Sequence, residues 1–158
     1  MRRHFLSKKD RKRVLETIRN SFGVELVSEE VEVCLHEGLK IIIVDKEPVA
    51  AEVNGRLIPL LQWLLKRKDI RLPKIVVDKG AVKPISSGAD VMAPGVVDVV
   101  GRVNAGDIAI VVDETYGMPI AVVVTLFSGD DIKRLNRGKV AENIHHVGDS
   151  LWKLAKTL

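Results

Sequence analysis

Apolar and polar positions change period several times along this chain. Val14, Leu15, Ile18 and Phe22 recur at helical spacing, which predicts a first helix with one stripe packed down. Ser7, with Asp10 three residues on, supplies its N-cap, and Gly23 its stop. From Val31 the period becomes two. Val31, Val33 and Leu35 alternate with Glu32, Cys34 and His36, and Glu37-Gly38 turns the chain. Leu39 to Val44 is an apolar run of strand length, Asp45 to Pro48 a turn, and Val49 to Val53 another strand. Asn54-Gly55 is a two-residue hairpin signal leading into Arg56–Pro59. Leu60, Leu61, Leu64 and Leu65 then fit a second helix beside Trp63, which ends in Lys66-Arg67-Lys68-Asp69. Residues 70–73 read as a connection, so two domains are expected, 1–71 and 72–158.

The second half is mostly strand. Ile75-Val76-Val77 opens it, and Val96 to Val100, Asp107 to Val112, Pro119 to Leu126 and Val140 to His145 follow, separated by turns containing glycine. Ser128 and Asp131 cap a short helix with Ile132 and Leu135. Leu151, Leu154, Ala155 and Leu158 make a terminal amphipathic helix, in which Trp152 is expected to be buried against the barrel of the second half. Short strands with a few small helices predict an α+β chain. Its first part is a small α/β domain and its second a closed or nearly closed mixed barrel.

One stretch differs from the rest. Between Lys74 and Val97 an apolar strand gives way at Asp78 to a segment carrying Lys79 and Lys83, broken by Pro84, and then to Ser86-Ser87-Gly88. Two lysines among small residues make a ledge on which a phosphate backbone fits close to main chain. The alternative is that both lysines are only solvated and the glycines serve geometry. Lys133, Arg134, Arg137 and Lys139 surround a later helix–strand turn. They would extend the ledge if the barrel closes that way.

Charge adds a second candidate surface. Residues 1–20 carry eight Lys/Arg against two acids, a net of +6, whereas 21–71 net −2 and 72–158 net zero. Lys8, Lys9, Arg11, Lys12 and Arg13 therefore form a concentrated basic patch on the first helix, suited to nucleic acid, anionic lipid or an acidic partner, the alternative being surface charge that only keeps the protein soluble. A hydrophobic fraction of 46% with 29% charged residues is that of a globular domain. The basic N-terminus lacks the apolar centre of a secretory signal, and no apolar run reaches membrane-spanning length. A cytoplasmic protein without membrane contact is expected. Cys34 is the single cysteine, so no internal disulfide forms.

Enzyme signatures are missing. The chain has no glycine-rich dinucleotide fingerprint, phosphate loop or nucleophile elbow. Asp113-Glu114 and Asp130-Asp131 read as turn and capping residues. His145-His146 sit on adjacent strand positions and point to opposite faces, which does not suit one metal ion. No catalytic group, cofactor or metal is expected. Aromatic content of 4% gives little for single-strand stacking, so structured RNA read by shape and backbone fits better.

The motifs VDKGAVKPISSGADVMAPGVV at 77–97 and RGKVAENIHHVGDSLW at 137–152 resemble the malignant-T-cell-amplified-sequence family. Residues 56–80 also match the junction of its two domains. The resemblance implies an N-terminal domain preceding a PUA domain, an RNA-binding module with a mixed β pseudo-barrel and short helices, and points to an archaeal member. It implies translation-associated binding of tRNA or of rRNA in the small ribosomal subunit, in initiation, reinitiation or recycling. Eukaryotic relatives act with density-regulated protein, and ligatin carries similar domains together with a start-codon-recognition domain. A separate partner of that type is expected here. By position, the resemblance places RNA contacts on Lys79, Gly80, Ala81, Lys83, Pro84, Ser87, Gly88, Ala89 and Met92, and local charge adds Arg134, Arg137 and Lys139. An accessory RNA-binding subunit for a tRNA- or rRNA-modifying enzyme, or for ribosome biogenesis, is the alternative. A protein adaptor using the first helix is a third reading.

Overall fold

A computed structural model describes residues 1–158. The chain divides into two compact units. One is Met1–Arg71 with Ser150–Leu158, the other Leu72–Asp149.

The first unit is built on an antiparallel sheet of five strands in the order β1-β2-β3-β4-β5. These are β1 (Arg2–Phe5), β2 (Val31–His36), β3 (Leu39–Val44), β4 (Glu47–Val53) and β5 (Arg56–Pro59). Hairpins join β2 to β5, and each turn has two left-handed residues: Glu37-Gly38, Asp45-Lys46 and Asn54-Gly55. That backbone matches the right-handed twist of the flanking strands. Helix α1 (Lys8–Phe22) connects β1 to β2. Ser7 Oγ accepts from the Asp10 N–H at 3.2 Å, and Gly23 closes the helix at φ 70°, donating to the Arg19 carbonyl. A Cβ on Gly23 would stand 2.6 Å from that of Arg71, so this position needs glycine for space as well as for φ. Ile18 and Phe22 are the buried part of the α1 stripe. The Phe22 ring meets Trp63 of α2 (Leu61–Lys66) at 6.1 Å between centroids.

Two features of this unit were hidden in the sequence pattern. Strand β1 is wholly exposed, with no alternation to mark it, and is held by pairing Arg2–Phe5 with Glu32–Leu35 and by the Arg3–Glu32 ion pair at 3.1 Å. The terminal helix α5 (Ser150–Lys156), read from sequence as part of the second domain, groups with the first. Leu151, Leu154 and Ala155 are buried, and the Gln62 side chain donates to the Trp152 carbonyl at 2.8 Å. Half-buried Trp152 is grouped with the first unit. An amphipathic helix shows that it has a partner face but not which one.

The second unit is a six-stranded sheet ordered β7-β11-β10-β9-β6-β8. Its strands are β6 (Lys74–Val77), β7 (Val91–Met92), β8 (Val96–Val100), β9 (Ile108–Asp113), β10 (Pro119–Thr125) and β11 (Lys139–His146). β6 and β9 run parallel; the other pairs are antiparallel. The edge strands β7 and β8 are consecutive in the chain, joined by one 3-10 turn, Ala93–Gly95. Their continuity curls the sheet into a pseudo-barrel, and bulges in β8, β10 and β11 help it bend. Ile75, Val77, Val91, Val99, Val111, Val123 and Val140 fill the interior. Two helices decorate it, α3 (Lys79–Ser86) and α4 (Gly129–Arg134), the latter capped by Ser128 Oγ accepting from the Asp131 N–H at 3.2 Å.

Candidate nucleic-acid interface

Helix α3 does not break at Pro84 but runs two residues beyond it. Proline lacks only the N–H that would reach the Gly80 carbonyl, and it falls so near the end that few further bonds are at stake. Its own carbonyl closes the helix, accepting from the Ser87 and Ala89 N–H groups at 3.1 and 3.0 Å. At the other end, the Asp78 side chain caps α3 by accepting from the Ala81 N–H at 3.0 Å. Ile85 is buried in the barrel, with Ala81 and Val82 packed against the same core. This orientation leaves Lys79, Gly80, Lys83 and Pro84 exposed.

Lys79 and Lys83 are four residues apart, so they stand side by side on one helix face, about 5–6 Å apart at Cβ. No carboxylate pairs with either, nor with Arg137. The other cations near this turn are partly neutralised. Lys139 approaches Glu142 at 3.4 Å and Asp90 at 3.6 Å, Arg134 approaches Asp131 at 3.9 Å, and Lys133 approaches Asp98 at 3.6 Å. In such a setting α3 is the main source of free positive charge.

Close approach fixes the helix on the barrel. The Asp78 N–H donates to the Gly95 carbonyl at 2.9 Å, and a Cβ on Gly95 would lie 2.9 Å from that of Ala81. The loop after α3 is held from β11. Asn143 Nδ2 donates to the carbonyls of Ile85 and Ala89, both at 2.9 Å, and its own N–H donates to Asp90 Oδ1. Half-buried Gly88, at φ 109°, lies against His146: a Cβ there would be 3.0 Å from Nε2. Ser87 and Ala89 are exposed beside it.

The structure brings the expected residues together unequally. Met92, 48% exposed, is directly opposite Lys139 in the β7–β11 register, and the Ala93 N–H donates to the Gly138 carbonyl at 2.8 Å. Residues 90–93 and the Arg137–Lys139 turn therefore adjoin. Arg134 lies apart on α4, which packs on β8 through Gly129 and Val99. The cations of α1 belong to the other unit, where Lys8, Lys9, Lys12 and Arg13 are exposed and the Arg11 guanidinium donates to the Glu29 carbonyl at 2.9 Å.

The acids and histidines act locally. Asp113 caps a hairpin turn, and the N–H groups of Tyr116 and Met118 hold its carboxyl below the usual range. His145 is fully buried with Nδ1 2.8 Å from Asp149, whereas His146 Nδ1 donates to the Val147 carbonyl, so the pair does diverge. No group of three or more His, Cys, Asp or Glu residues could hold a metal ion.

Residues 73–147 match the PUA domain model, and residues 2–67 match a domain of unknown function, DUF1947. An uncharacterized protein of Methanocaldococcus jannaschii is 41% identical over 96% of this chain and 95% of its own. Malignant T-cell-amplified sequence 1-A of Xenopus laevis is 34% identical over 75% of this chain and 67% of its own length. The chain belongs to the malignant-T-cell-amplified-sequence family. Translation machinery-associated protein 20 of Schizosaccharomyces pombe is a further relative, 36% identical over 63% of this chain, which spans 57% of that protein. Among solved structures, a PUA domain protein of Aeropyrum pernix superposes with a TM-score of 0.87 at 30% identity, covering 98% of this chain and 91% of that one.

In this family member, sequence reasoning passed over Asp90 and Asn143, which position the loop after α3. An asparagine inside a strand was the available signal, since asparagine is depleted in strands.

Proposed function

We propose that this chain is a non-catalytic RNA-binding protein of the translation apparatus, which docks tRNA or small-subunit rRNA on residues 79–92 and 137–139 of its PUA unit. The observation that carries the reading is the unpaired couple Lys79 and Lys83, exposed on a helix whose remaining surface is small. Two free ammonium groups at helical spacing suit successive phosphates, and Gly80, Ser87, Gly88 and Ala89 let a sugar–phosphate chain come close to main chain. Family membership supports the RNA class, and the name of the fission-yeast relative supports the translational setting. A start-codon-recognition partner would complete the assembly. Chemistry is not part of the reading, because the acids and histidines of this unit cap turns and brace strands.

The test is binding to tRNA and to a matched plain duplex over a salt series. Lys79→Ala with Lys83→Ala removes two phosphate contacts, which should weaken binding and lower the slope of log affinity against log salt by about 1.4–1.8. Unchanged affinity and slope overturn the assignment of α3.

A further inference from the structure

The five-residue turn between β9 and β10 is heavily braced. Asp113 accepts from the N–H groups of Tyr116 and Met118 through its two carboxylate oxygens. Its own N–H donates to the Met118 carbonyl at 3.2 Å, and its carbonyl accepts from the Gly117 N–H at 3.0 Å, with Gly117 at φ 66°. The Glu114 N–H donates to the Val77 carbonyl at 3.0 Å, tying the tip to β6. What this bracing holds up is Tyr116, 85% exposed, the most exposed aromatic ring of the chain, with Met118 53% exposed beside it.

The tip shares one end of the barrel with the start of α3. Val77 pairs in parallel with Asp113. From that level β6 runs on into Asp78 and Lys79, while β9 runs on into the tip. The two places differ in chemistry. Lys79 and Lys83 attract phosphate. The tip carries no cation, and Asp113 and Glu114 make it unfavourable for phosphate, while a tyrosine ring offers a face on which any base stacks. We propose that Tyr116 stacks on the base of an unpaired nucleotide belonging to an RNA whose phosphates lie on Lys79 and Lys83. The preferred ligand is then a structured RNA with a single-stranded extension or bulge, not a continuous duplex, whose bases stay stacked on one another. This inference rests on the RNA-binding reading and adds the substrate feature that reading leaves open.

Tyr116 is the chain's single tyrosine, so incorporation of 3-fluorotyrosine gives one fluorine resonance that reports the tip alone. The labelled full chain is titrated with an RNA hairpin carrying a few unpaired 3′ nucleotides and with the same hairpin made blunt. The resonance is expected to shift with the first RNA and hardly with the second. Tyr116→Ala should weaken binding of the extended hairpin about tenfold and leave the blunt one unchanged, while Tyr116→Phe, which keeps the ring, retains wild-type affinity. A resonance that stays in place although both RNAs bind overturns the stacking proposal and leaves the lysine ledge standing. If neither RNA binds, the RNA-binding reading falls with it.

Discussion

Adding one methyl group to Gly95 should displace the proposed RNA-binding helix. A Cβ at this position would lie 2.9 Å from the Ala81 Cβ, against an optimum of about 3.5–4.0 Å for carbon atoms in contact. The shortfall is about 0.6–1.1 Å. Neither carbon sits on a flexible side chain that can swing away: one is in the 3-10 turn joining β7 to β8, and the other is on α3. The Asp78–Gly95 backbone bond pins the same place. Gly95→Ala must therefore move α3 or the turn, at the cost of about 1–3 kcal/mol typical of overpacking. That corresponds to a fall in melting temperature of roughly 2–12 °C for a chain of this size. Lys79 and Lys83 ride on α3, so RNA affinity should fall as well. Ala81→Gly removes the opposing methyl. Alone it costs up to about 1 kcal/mol in helix propensity, but combined with Gly95→Ala it should restore much of the loss. The double-mutant coupling is then favourable and at least about 1 kcal/mol by urea unfolding. Additive losses, or a Gly95→Ala chain as stable as wild type, would refute the close-approach reasoning.

Other outcomes follow from single contacts. Phe22→Ala empties a buried site against Trp63 and should cost about 3–5 kcal/mol, read by chemical denaturation with tryptophan fluorescence. Asn143→Ala leaves the carbonyls of Ile85 and Ala89 without their donor. It should cost about 1–3 kcal/mol and speed amide exchange in residues 86–90. The carboxyl of Asp113 is lowered below its ordinary 3.8 by the N–H bonds of its turn, first that of Tyr116. Its contribution to stability is complete above that value and is lost as pH falls through the lower folded one. A melting-temperature profile between pH 5 and 2 should show this acid-side loss, and Asp113→Asn should flatten it. Ser7→Ala should cost about 1 kcal/mol by loss of the α1 cap.

Where local chemistry decides, the sequence was legible. Ser7, Ser128, Gly23 and Asn54-Gly55 each specify a cap or turn through one bond or one φ angle, and α1, α4 and the β4–β5 hairpin form where those signals stand. Long-range pairing decided the rest. Nothing in Arg2-Arg3-His4-Phe5 marks a strand, because an exposed edge strand has no buried face to impose alternation. Pro84 looked like a break because its tolerance depends on how soon α3 ends. The apolar face of α5 carried no address. Within the candidate site, the lysine pair and its small neighbours were readable from composition and spacing. The roles of Gly95, Asn143 and Asp90 were not, since each acts on a residue 14 to 58 positions away. Tyr116 was passed over because low aromatic content argued against stacking, whereas one braced ring is enough to offer a face.

The most direct measurement is to crosslink the protein to RNA in cells and sequence both the RNA and the crosslinked peptides. The account predicts tRNA or small-subunit rRNA joined to peptides covering residues 79–92 and 137–139. Crosslinks confined to the α1 peptide, or no RNA above background, would contradict it.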